Sequence, residues 1–212
     1  MKKITVLIVD DHPFLREGIA AAVNGQQDMV LVGEASSGEE ALGTFRRLRP
    51  DVVLMDLNLP GMSGIETMEA IRKDFPSARI VVLTAYRGDV QATRAFKAGA
   101  VGYLLKNMLR KELLDTIRAV AAGRKRIPVE VAHELVQHSL DDALTDREIQ
   151  VLKRVAQGIP NKVIAAEMNL AEPTVKSHLQ NIFQKLGAND RTHAVTIAIR
   201  RGYLDPDQRG GG

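Results

Sequence analysis

The first 122 residues alternate five times between a short apolar run and a stretch of helical periodicity. Apolar runs without alternation are typical of strands buried on both faces of a parallel sheet. Strands interleaved with helices form a doubly wound sheet with right-handed crossovers. We therefore predict an α/β fold with five parallel strands at 4–9, 30–34, 52–56, 79–84 and 101–105, and helices at 14–24, 38–48, 64–74, 88–98 and 109–122.

Four of the predicted strands end on polar side chains. Asp10 and Asp11 follow the first strand, Asp56 ends the third, Thr84 ends the fourth and Lys106 follows the fifth. The carboxyl ends of parallel strands share one edge of the sheet, where open α/β sheets bind ligands. Carboxylates gathered there raise one another's pKa unless a cation lies among them. Hard oxygen ligands of this kind suit a partly hydrated Mg²⁺.

This set of side chains suggests phosphoryl chemistry. Asp56 is a candidate nucleophile toward phosphorus, with Asp10 or Asp11 holding the metal. Lys106 and Thr84 would contact the same phosphoryl oxygens. The simpler alternatives are that the two acids cap the following helix, that the threonine is structural and that the lysine is merely solvated.

Residues 3–122 resemble the receiver domain of bacterial two-component response regulators. The motifs that carry the resemblance are Asp10-Asp11, the segment 54–61 (Leu-Met-Asp-Leu-Asn-Leu-Pro-Gly), Thr84-Ala85 and the segment 102–106 (Gly-Tyr-Leu-Leu-Lys). The resemblance implies that Asp56 accepts a phosphoryl group from a sensor histidine kinase.

The same resemblance implies roles for neighbouring residues. Asp11 and the backbone carbonyl of Asn58 would bind Mg²⁺ together with Asp56, and Asp10 would lie behind them. Thr84 and Tyr103 resemble the pair that rearranges on phosphorylation, when the hydroxyl moves to the phosphate and the ring turns inward.

One position departs from the receiver pattern. Many receivers have a proline after the lysine, joined by a cis bond, whereas Asn107 follows Lys106 here. A cis bond before a residue other than proline costs roughly 2.5–4 kcal/mol. The sequence therefore leaves the geometry of this loop open.

A linker with a helix is predicted at 123–143, and residues 205–212 are expected to be a disordered tail. Pro128 opens an apolar-periodic stretch that contains His133 and His138. Zinc proteases place two histidines four residues apart on one helix face, whereas these are five apart. The sequence therefore disfavours a metal site in the linker.

Residues 144–204 are expected to form an all-α domain of four short helices containing a helix-turn-helix. Thr145 and Glu148 have the spacing of a capping box. The expected helices run from there to about Gly158, from Asn161 to Met168, from Pro173 to Gly187 and from Arg191 to Arg201, the last capped by Asp190.

The helix at 173–186 has one apolar face and one polar face. The polar face carries hydrogen-bonding side chains and no acid, a composition suited to base edges and phosphates, although an ordinary solvated face is the alternative. Its residues are Lys176, Ser177, Gln180, Asn181 and Gln184.

Residues 144–204 resemble the LuxR/GerE-type helix-turn-helix, so the whole chain is similar to NarL/FixJ-type response regulators. The motifs are the segments 144–148 and 174–178, the residues at 151–152, 158, 161–162, 164–165 and 182, and the segments 185–187 and 191–192. The resemblance places Lys176, Ser177 and Gln180 toward bases. It also implies that four further residues contact the DNA backbone: Asn161, Lys162, Thr174 and Lys185.

Two cap positions depart from that family. Pro160 and Ala171 stand where relatives usually have serine. Alanine at an N-cap costs about 0.5–2 kcal/mol relative to serine. Asn161 is expected to take over the first cap, and no replacement is evident for the second, so intrinsic DNA affinity is expected to be lowered.

Composition agrees with a protein of two domains. The 212 residues include no cysteine, which excludes disulfides and thiolate metal sites. No apolar run approaches the ~18 residues of a membrane span, so we expect a cytoplasmic protein with no membrane partner. The net charge of +3 lies in residues 143–212, with 10 Lys/Arg against 7 Asp/Glu, a weak indication of nucleic-acid binding.

The leading hypothesis is a phosphorylation-controlled transcription factor rather than an enzyme, with Mg²⁺ as cofactor and promoter DNA as partner. Phosphorylation is expected to allow a homodimer, through the last helix with Ala194, Ile197 and Ala198. One alternative is a regulator that no longer uses phosphorylation. Another is a haloacid-dehalogenase-like phosphatase, which requires a second aspartate where this chain has Asn58.

Overall fold

The computed structural model describes residues 2–85, 88–108, 110–129, 131–132 and 143–204. They divide into two compact units: 2–85 with 92–132, and 88–91 with 143–204. The predicted domain limits of 1–122, 123–143 and 144–204 stay a prediction. His133, His138, most of the predicted linker helix and the tail at 205–212 lie outside the described residues.

The first unit contains the predicted sheet of five parallel strands, in the order β2-β1-β3-β4-β5. The order changes direction at β1, which places the first crossover on one face of the sheet and the three later crossovers on the other. The fold class is therefore confirmed. The strands are β1 Ile4–Val9, β2 Met29–Ala35, β3 Val52–Asp56, β4 Ile80–Thr84 and β5 Gly102–Leu105.

The strand sequences do not alternate between apolar and polar residues, and the structure gives the reason. Every residue of β3 and of β4 is buried, because helices cover both faces of the sheet. The edge strand β2 is only partly buried along most of its length. Apolar side chains are therefore required on both faces of the central strands.

Five helices connect and follow the strands: α1 Pro13–Asn24, α2 Gly38–Leu48, α3 Gly64–Asp74, α4 Asp89–Lys97 and α5 Arg110–Ala121. Local sequence fixes several of their ends. Ser37 caps α2, and Ser63 forms a capping box with Glu66 at the start of α3. Arg49 ends α2 with a left-handed φ of 47°, a conformation that the sequence does not predict.

The second unit contains α6 Asp146–Ala156, α7 Asn161–Glu167, α8 Glu172–Leu186 and α9 Arg191–Arg201. The predicted four-helix domain is confirmed. Thr145 and Glu148 form the predicted capping box, and Asp190 caps α9 by accepting a hydrogen bond from the N–H of His193. Asn169 ends α7 with a positive φ of 53°.

The expected dimer interface on the last helix is wrong in its residues. Ala194, Ile197 and Ala198 are buried in the core of their own unit, packed with side chains of the other three helices. They are therefore not available to a second copy while this core is intact. Within the part of the chain that the structure describes, no helix is both long and apolar enough to cross a bilayer.

Candidate functional site

The carboxyl edge of the sheet brings two buried aspartates against one lysine. The side chains of Asp10 and Asp56 are 0% and 2% exposed, and Lys106 Nζ lies 2.9 Å from Asp10 Oδ2 and 2.6 Å from Asp56 Oδ2. Adjacent strands position the acids, since β1 pairs with β3 with Val9 opposite Met55. The lysine approaches from the end of β5, where its backbone N–H donates to Thr84 O.

Burial and pairing shift the ionisation of both charged partners. Burial raises the pKa of Asp56, and the neighbouring ammonium of Lys106 only partly offsets this. Burial lowers the pKa of Lys106, but its hydrogen bonds to Asp56 and Asp10 outweigh that effect and raise it. The lysine therefore stays charged and supports ionisation of Asp56.

Asp11 and His12 complete the cluster from the loop that leads into α1. Asp11 is 39% exposed, and His12 Nδ1 lies 2.6 Å from Asp11 Oδ1 and 3.1 Å from Asp10 Oδ1. The N-cap of α1 is His12, with no side-chain cap bond, so neither aspartate caps this helix. Instead, the Asp10 carboxylate accepts a hydrogen bond from the backbone N–H of His12. Sequence reasoning did not include His12, although it directly follows the acidic pair.

The donor set fits a hard divalent cation. Ligand atoms of Asp10, Asp11, His12 and Asp56 lie within 4.8 Å of one another. The cluster has three carboxylates, and one ammonium group among the described residues contacts two of them, so negative charge is in excess. Oxygen donors in such an excess are typical of Mg²⁺ sites that retain several waters.

The loop after β3 lies close to the carboxylate of Asp56. The backbone N–H of Asn58 donates to Asp56 Oδ1 at 3.2 Å. At Gly64, a Cβ atom would lie 1.9 Å from the carbonyl oxygen of Asp56. Only glycine therefore allows α3 to begin directly against the end of β3. The sequence placed Gly64 at a helix start without revealing this contact.

Thr84 and Tyr103 lie next to each other beside the acidic edge. Thr84 is 1% exposed and Tyr103 is fully buried. Their hydroxyls are hydrogen-bonded, and burial raises the pKa of Tyr103. The ring of Tyr103 packs against Phe96, with centroids 6.1 Å apart. The inward ring position that the resemblance associated with phosphorylation is therefore already present in the unmodified chain.

The outer face of α8 presents the predicted base-facing side chains to solvent. Lys176, Ser177 and Gln180 are exposed, and so is Thr174 in the first turn. The prediction that this face carries no acid is wrong, because α8 begins at Glu172, one residue earlier than expected. Glu172 Oε1 lies 3.0 Å from Lys176 Nζ.

Two of the predicted backbone-contact residues already have partners within the unit. Lys185 Nζ lies 2.8 Å from Oε2 of Glu148, which is buried. Asn161 does not cap α7: the cap is Pro160, and the Asn161 side chain accepts a hydrogen bond from Arg191 instead. Lys162 is exposed, and Ala171 caps α8 without any side-chain bond, as predicted.

Comparison with protein families assigns both units. Residues 6–118 match the model of the response regulator receiver domain, and residues 142–198 match that of bacterial regulatory proteins of the luxR family. Together these matches define the class as DNA-binding transcription regulators with a receiver domain.

Individual relatives match along nearly the whole chain. The chain is 38% identical over 200 residues to the nitrate/nitrite response regulator protein NarL of Escherichia coli K12, covering 90% of this chain and 93% of that protein. It is 39% identical over 205 residues to the transcriptional regulatory protein LiaR of Bacillus subtilis, covering 93% and 97%.

A solved relative has the same two units. RcsB from Salmonella enterica serovar Typhimurium, bound to promoter P1flhDC in the presence of the phosphomimetic BeF3-, matches with a TM-score of 0.72 and 26% identity, over 92% of this chain and 98% of that one. The chain thus belongs to the two-component response regulators that join a receiver domain to a LuxR-type DNA-binding domain.

Proposed function

We propose that this response regulator is a transcription factor switched by phosphorylation of Asp56. The observation that carries the proposal is the placement of Lys106 Nζ within 3 Å of two buried carboxylates, beside the more exposed Asp11. A buried acid held against a cation, with further oxygen donors at hand, is arranged to receive a phosphoryl group rather than only to stabilise the fold.

In the proposed reaction, an Asp56 carboxylate oxygen attacks the phosphorus of a phosphohistidine on a sensor histidine kinase. The new O–P bond forms as the P–N bond breaks, and the imidazole leaves. Lys106 stays protonated and would pair with the charge that develops on the phosphoryl oxygens. Asp11, Asp56 and the carbonyl of Asn58 would hold Mg²⁺, with Asp10 behind them; the cation supplies further neutralisation of those oxygens.

The DNA-binding half would use the outer face of α8. Its exposed Lys176, Ser177 and Gln180 suit base edges, and Thr174 and Lys162 suit phosphates. Asn161 and Lys185 could contact phosphate only by sharing or leaving their present partners, Arg191 and Glu148. RcsB is described bound to a promoter; here we propose promoter binding as a homodimer formed on phosphorylation, in the cytoplasm, where the DNA is found.

Labelling with a small phosphodonor tests the phosphoacceptor. We expect Mg²⁺-dependent formation of a hydroxylamine-labile acyl phosphate with acetyl phosphate in the wild type, and none in Asp56→Asn. Asp11→Asn should require more Mg²⁺. Asp28→Asn is the matched control, because that carboxylate pairs with Arg118 on the surface, and it should label normally. Equal labelling of Asp56→Asn and wild type would exclude Asp56, and no labelling of either would favour a phosphorylation-independent regulator.

Binding to duplex DNA selected from a random pool tests the proposed interface. Lys176→Ala should weaken binding by about 1–3 kcal/mol and relax preference at one base pair, whereas Lys162→Ala should weaken all sequences and flatten the salt dependence. Lys153→Ala, exposed on α6, is the control. Unchanged affinity in both interface variants would remove α7 and α8 from the interface.

A further inference from the structure

The imidazole of His12 brings a nitrogen donor to a cluster that otherwise offers carboxylate oxygens. His12 Nδ1 lies 2.6 Å from Asp11 Oδ1 and 3.1 Å from Asp10 Oδ1. One of its ring nitrogens lies within 4.8 Å of a carboxylate oxygen from each of Asp10, Asp11 and Asp56. The imidazole is therefore placed where the proposed function puts a divalent cation.

The spacing of these atoms suits neighbouring ligands of one cation. Protein nitrogen and oxygen atoms bind Zn²⁺ and Mg²⁺ at about 2.0–2.2 Å, so two neighbouring ligands in octahedral geometry lie roughly 3 Å from each other. The two N···O distances at His12, 2.6 and 3.1 Å, are close to this value. They are also hydrogen-bond distances, as expected of a metal-free site, so the argument turns on how the imidazole is held.

The backbone of His12 is fixed on both sides. Because α1 begins at Pro13, the residue before it is confined to extended backbone, and His12 has φ −89° and ψ 107°. Its N–H donates to Asp10 Oδ1 at 2.8 Å. Its side chain makes no cap bond for α1. The imidazole is thus held beside the acids by the backbone and is not used to complete the helix end.

His12 and Lys106 contact different oxygen atoms of the cluster. Lys106 Nζ lies against Oδ2 of Asp10 and Oδ2 of Asp56, whereas His12 lies against Oδ1 of Asp10 and Oδ1 of Asp11. The His12 side chain is 66% exposed and that of Lys106 only 18%. A cation can therefore reach His12 and Asp11 from solvent without displacing the lysine.

Nitrogen and oxygen donors favour different metal ions. Carboxylate oxygens suit Mg²⁺ and Mn²⁺, whereas imidazole suits Zn²⁺, Ni²⁺ and Cu²⁺. We propose that His12 is a metal ligand, so that the acidic edge binds Ni²⁺ and Zn²⁺ more tightly, relative to Mg²⁺, than its carboxylates alone would. This inference rests on the proposed function for the location of the cation. Its consequence is that transition-metal ions compete with Mg²⁺ at this edge whenever they are available.

The first test compares two metal ions in calorimetric titrations of the full-length protein without a phosphodonor. His12→Asn replaces the imidazole with a shorter amide. We expect the ratio of Ni²⁺ affinity to Mg²⁺ affinity to fall at least about 10-fold, since losing even a group that only supports a metal ligand costs roughly 10–100-fold. A variant that merely disturbs the structure lowers both affinities together. An unchanged ratio in His12→Asn would overturn the proposal.

His193→Asn is the matched control. His193 is also exposed, and its N–H donates to Asp190 Oδ1 at 2.8 Å, the same backbone arrangement as that of His12 with Asp10. Within the described part of the chain, however, it belongs to no cluster of three or more metal-binding side chains. We expect His193→Asn to keep the wild-type affinity ratio.

Pulsed electron paramagnetic resonance of bound Mn²⁺ tests the metal–nitrogen bond itself. The Mn²⁺ that Mg²⁺ displaces reports on the acidic edge. For this ion we expect modulation from an imidazole nitrogen in wild type and in His193→Asn, and its loss in His12→Asn. Modulation that persists in His12→Asn, or that is absent from wild type, would contradict the assignment of His12 as a ligand.

Failure of this inference can be told apart from failure of the proposed function. If wild type binds neither Ni²⁺ nor Mg²⁺, the metal site and the inference fail together. If Asp56 is labelled with Mg²⁺ but His12→Asn keeps the affinity ratio, only the inference fails. If the ratio falls as expected and Asp56 is not labelled, His12 is a metal ligand in a site that does not serve phosphorylation.

Discussion

Lys106 offsets part of the negative charge of the acidic site. Its ammonium contacts the carboxylates of Asp10 and Asp56, both of which are almost fully withdrawn from water. Burial and the neighbouring charge of Asp10 both oppose ionisation of Asp56, so the folded site depends on this cation when no metal is present.

Replacing Lys106 with methionine should destabilise the metal-free protein. Removing one partner of a buried ion pair costs roughly 3–5 kcal/mol, because the other charge is left uncompensated. Urea unfolding should show this loss at neutral pH and its partial recovery with added Mg²⁺. Lys2→Ala, which removes an exposed amine 4.0 Å from Asp51, should leave stability unchanged; equal stability of Lys106→Met and wild type would contradict the electrostatic argument.

The pH dependence of this variant has a definite sign. The folded pKa of Asp56 is raised above its usual 3.8 by burial. Just above pH 3.8 the folded state therefore binds more protons than the unfolded state. The stability of the protein falls as the pH rises from the unfolded pKa of Asp56 to its folded pKa. Without Lys106 the pKa rises further, so the deficit of the variant should widen from acidic to neutral pH.

Several site residues could be predicted because strand ends are fixed by simple rules. Asp10, Asp56, Thr84 and Lys106 each follow an apolar run, and parallel strands bring such ends together. His12 could not be placed, because its contact with Asp11 depends on the turn into α1. Their proposed roles in phosphoryl transfer stay predictions.

At the scale of elements, the helix ends of the DNA-binding unit differ in how well they are capped. Glu148 belongs to a capping box with Thr145 and also accepts a hydrogen bond from Lys185 of α8. In contrast, the N-caps of α7 and α8 are Pro160 and Ala171, which supply no side-chain acceptor. The N-terminus of α6 is therefore stabilised by side-chain hydrogen bonds, whereas the N-termini of α7 and α8 are not.

Glu148→Gln should lower the free energy of unfolding in a pH-dependent way. Burial raises the pKa of Glu148, but hydrogen bonds from Lys185 and Thr145 outweigh it, so the folded pKa lies below 4.5. Its contribution, about 1.5–3 kcal/mol for a bond to a charged group, is complete above pH 4.5 and lost as pH falls below that value. Chemical denaturation should show that the difference in free energy of unfolding between wild type and Glu148→Gln is smaller at low pH than at pH 7.

The matched control for that prediction is Glu167→Gln. Glu167 pairs with Arg154 at 3.0 Å but is 44% exposed, and exposed pairs contribute little. A pH-independent effect of Glu148→Gln would indicate that shape, rather than charge, is what Glu148 provides.

Ala171→Ser should stabilise the unit. The backbone at residue 171 is already extended, with φ −78° and ψ 146°, as an N-cap requires. Supplying a hydroxyl should add about 0.5–2 kcal/mol, measurable by thermal unfolding. Ala166→Ser, at an exposed position inside α7, should instead be neutral or slightly destabilising. If the two variants behaved alike, the missing cap would not be a source of instability.

Sequence patterns predicted the elements better than their connections. Helices α2, α3 and α9 have the predicted limits, because serine or aspartate caps precede clear apolar periodicity. The start of α8 was placed one residue late, since Pro173 hid Glu172 as its first residue. The sequence contains no pattern that predicts the pairing of Arg126 with β5, because backbone hydrogen bonds at a sheet edge do not depend on side-chain type.

At the scale of the whole molecule, charge and fold divide the chain in the same way. The net charge of +3 falls in residues 143–212, and that part contains the helix-turn-helix. The sheet unit contains the acidic cluster. The acidic cluster of the first unit thus suits a cation, and the positive balance of the second suits nucleic acid, as the proposed function requires.

The DNA affinity of the full-length protein, measured before and after phosphorylation, tests the central claim most directly. The probe is a duplex selected from random DNA, with acetyl phosphate and Mg²⁺, and wild type is compared with Asp56→Asn. The account predicts that affinity rises together with oligomer size in wild type alone. Equal affinity in all four samples, with wild type fully labelled, would show that the phosphorylation site does not control DNA binding.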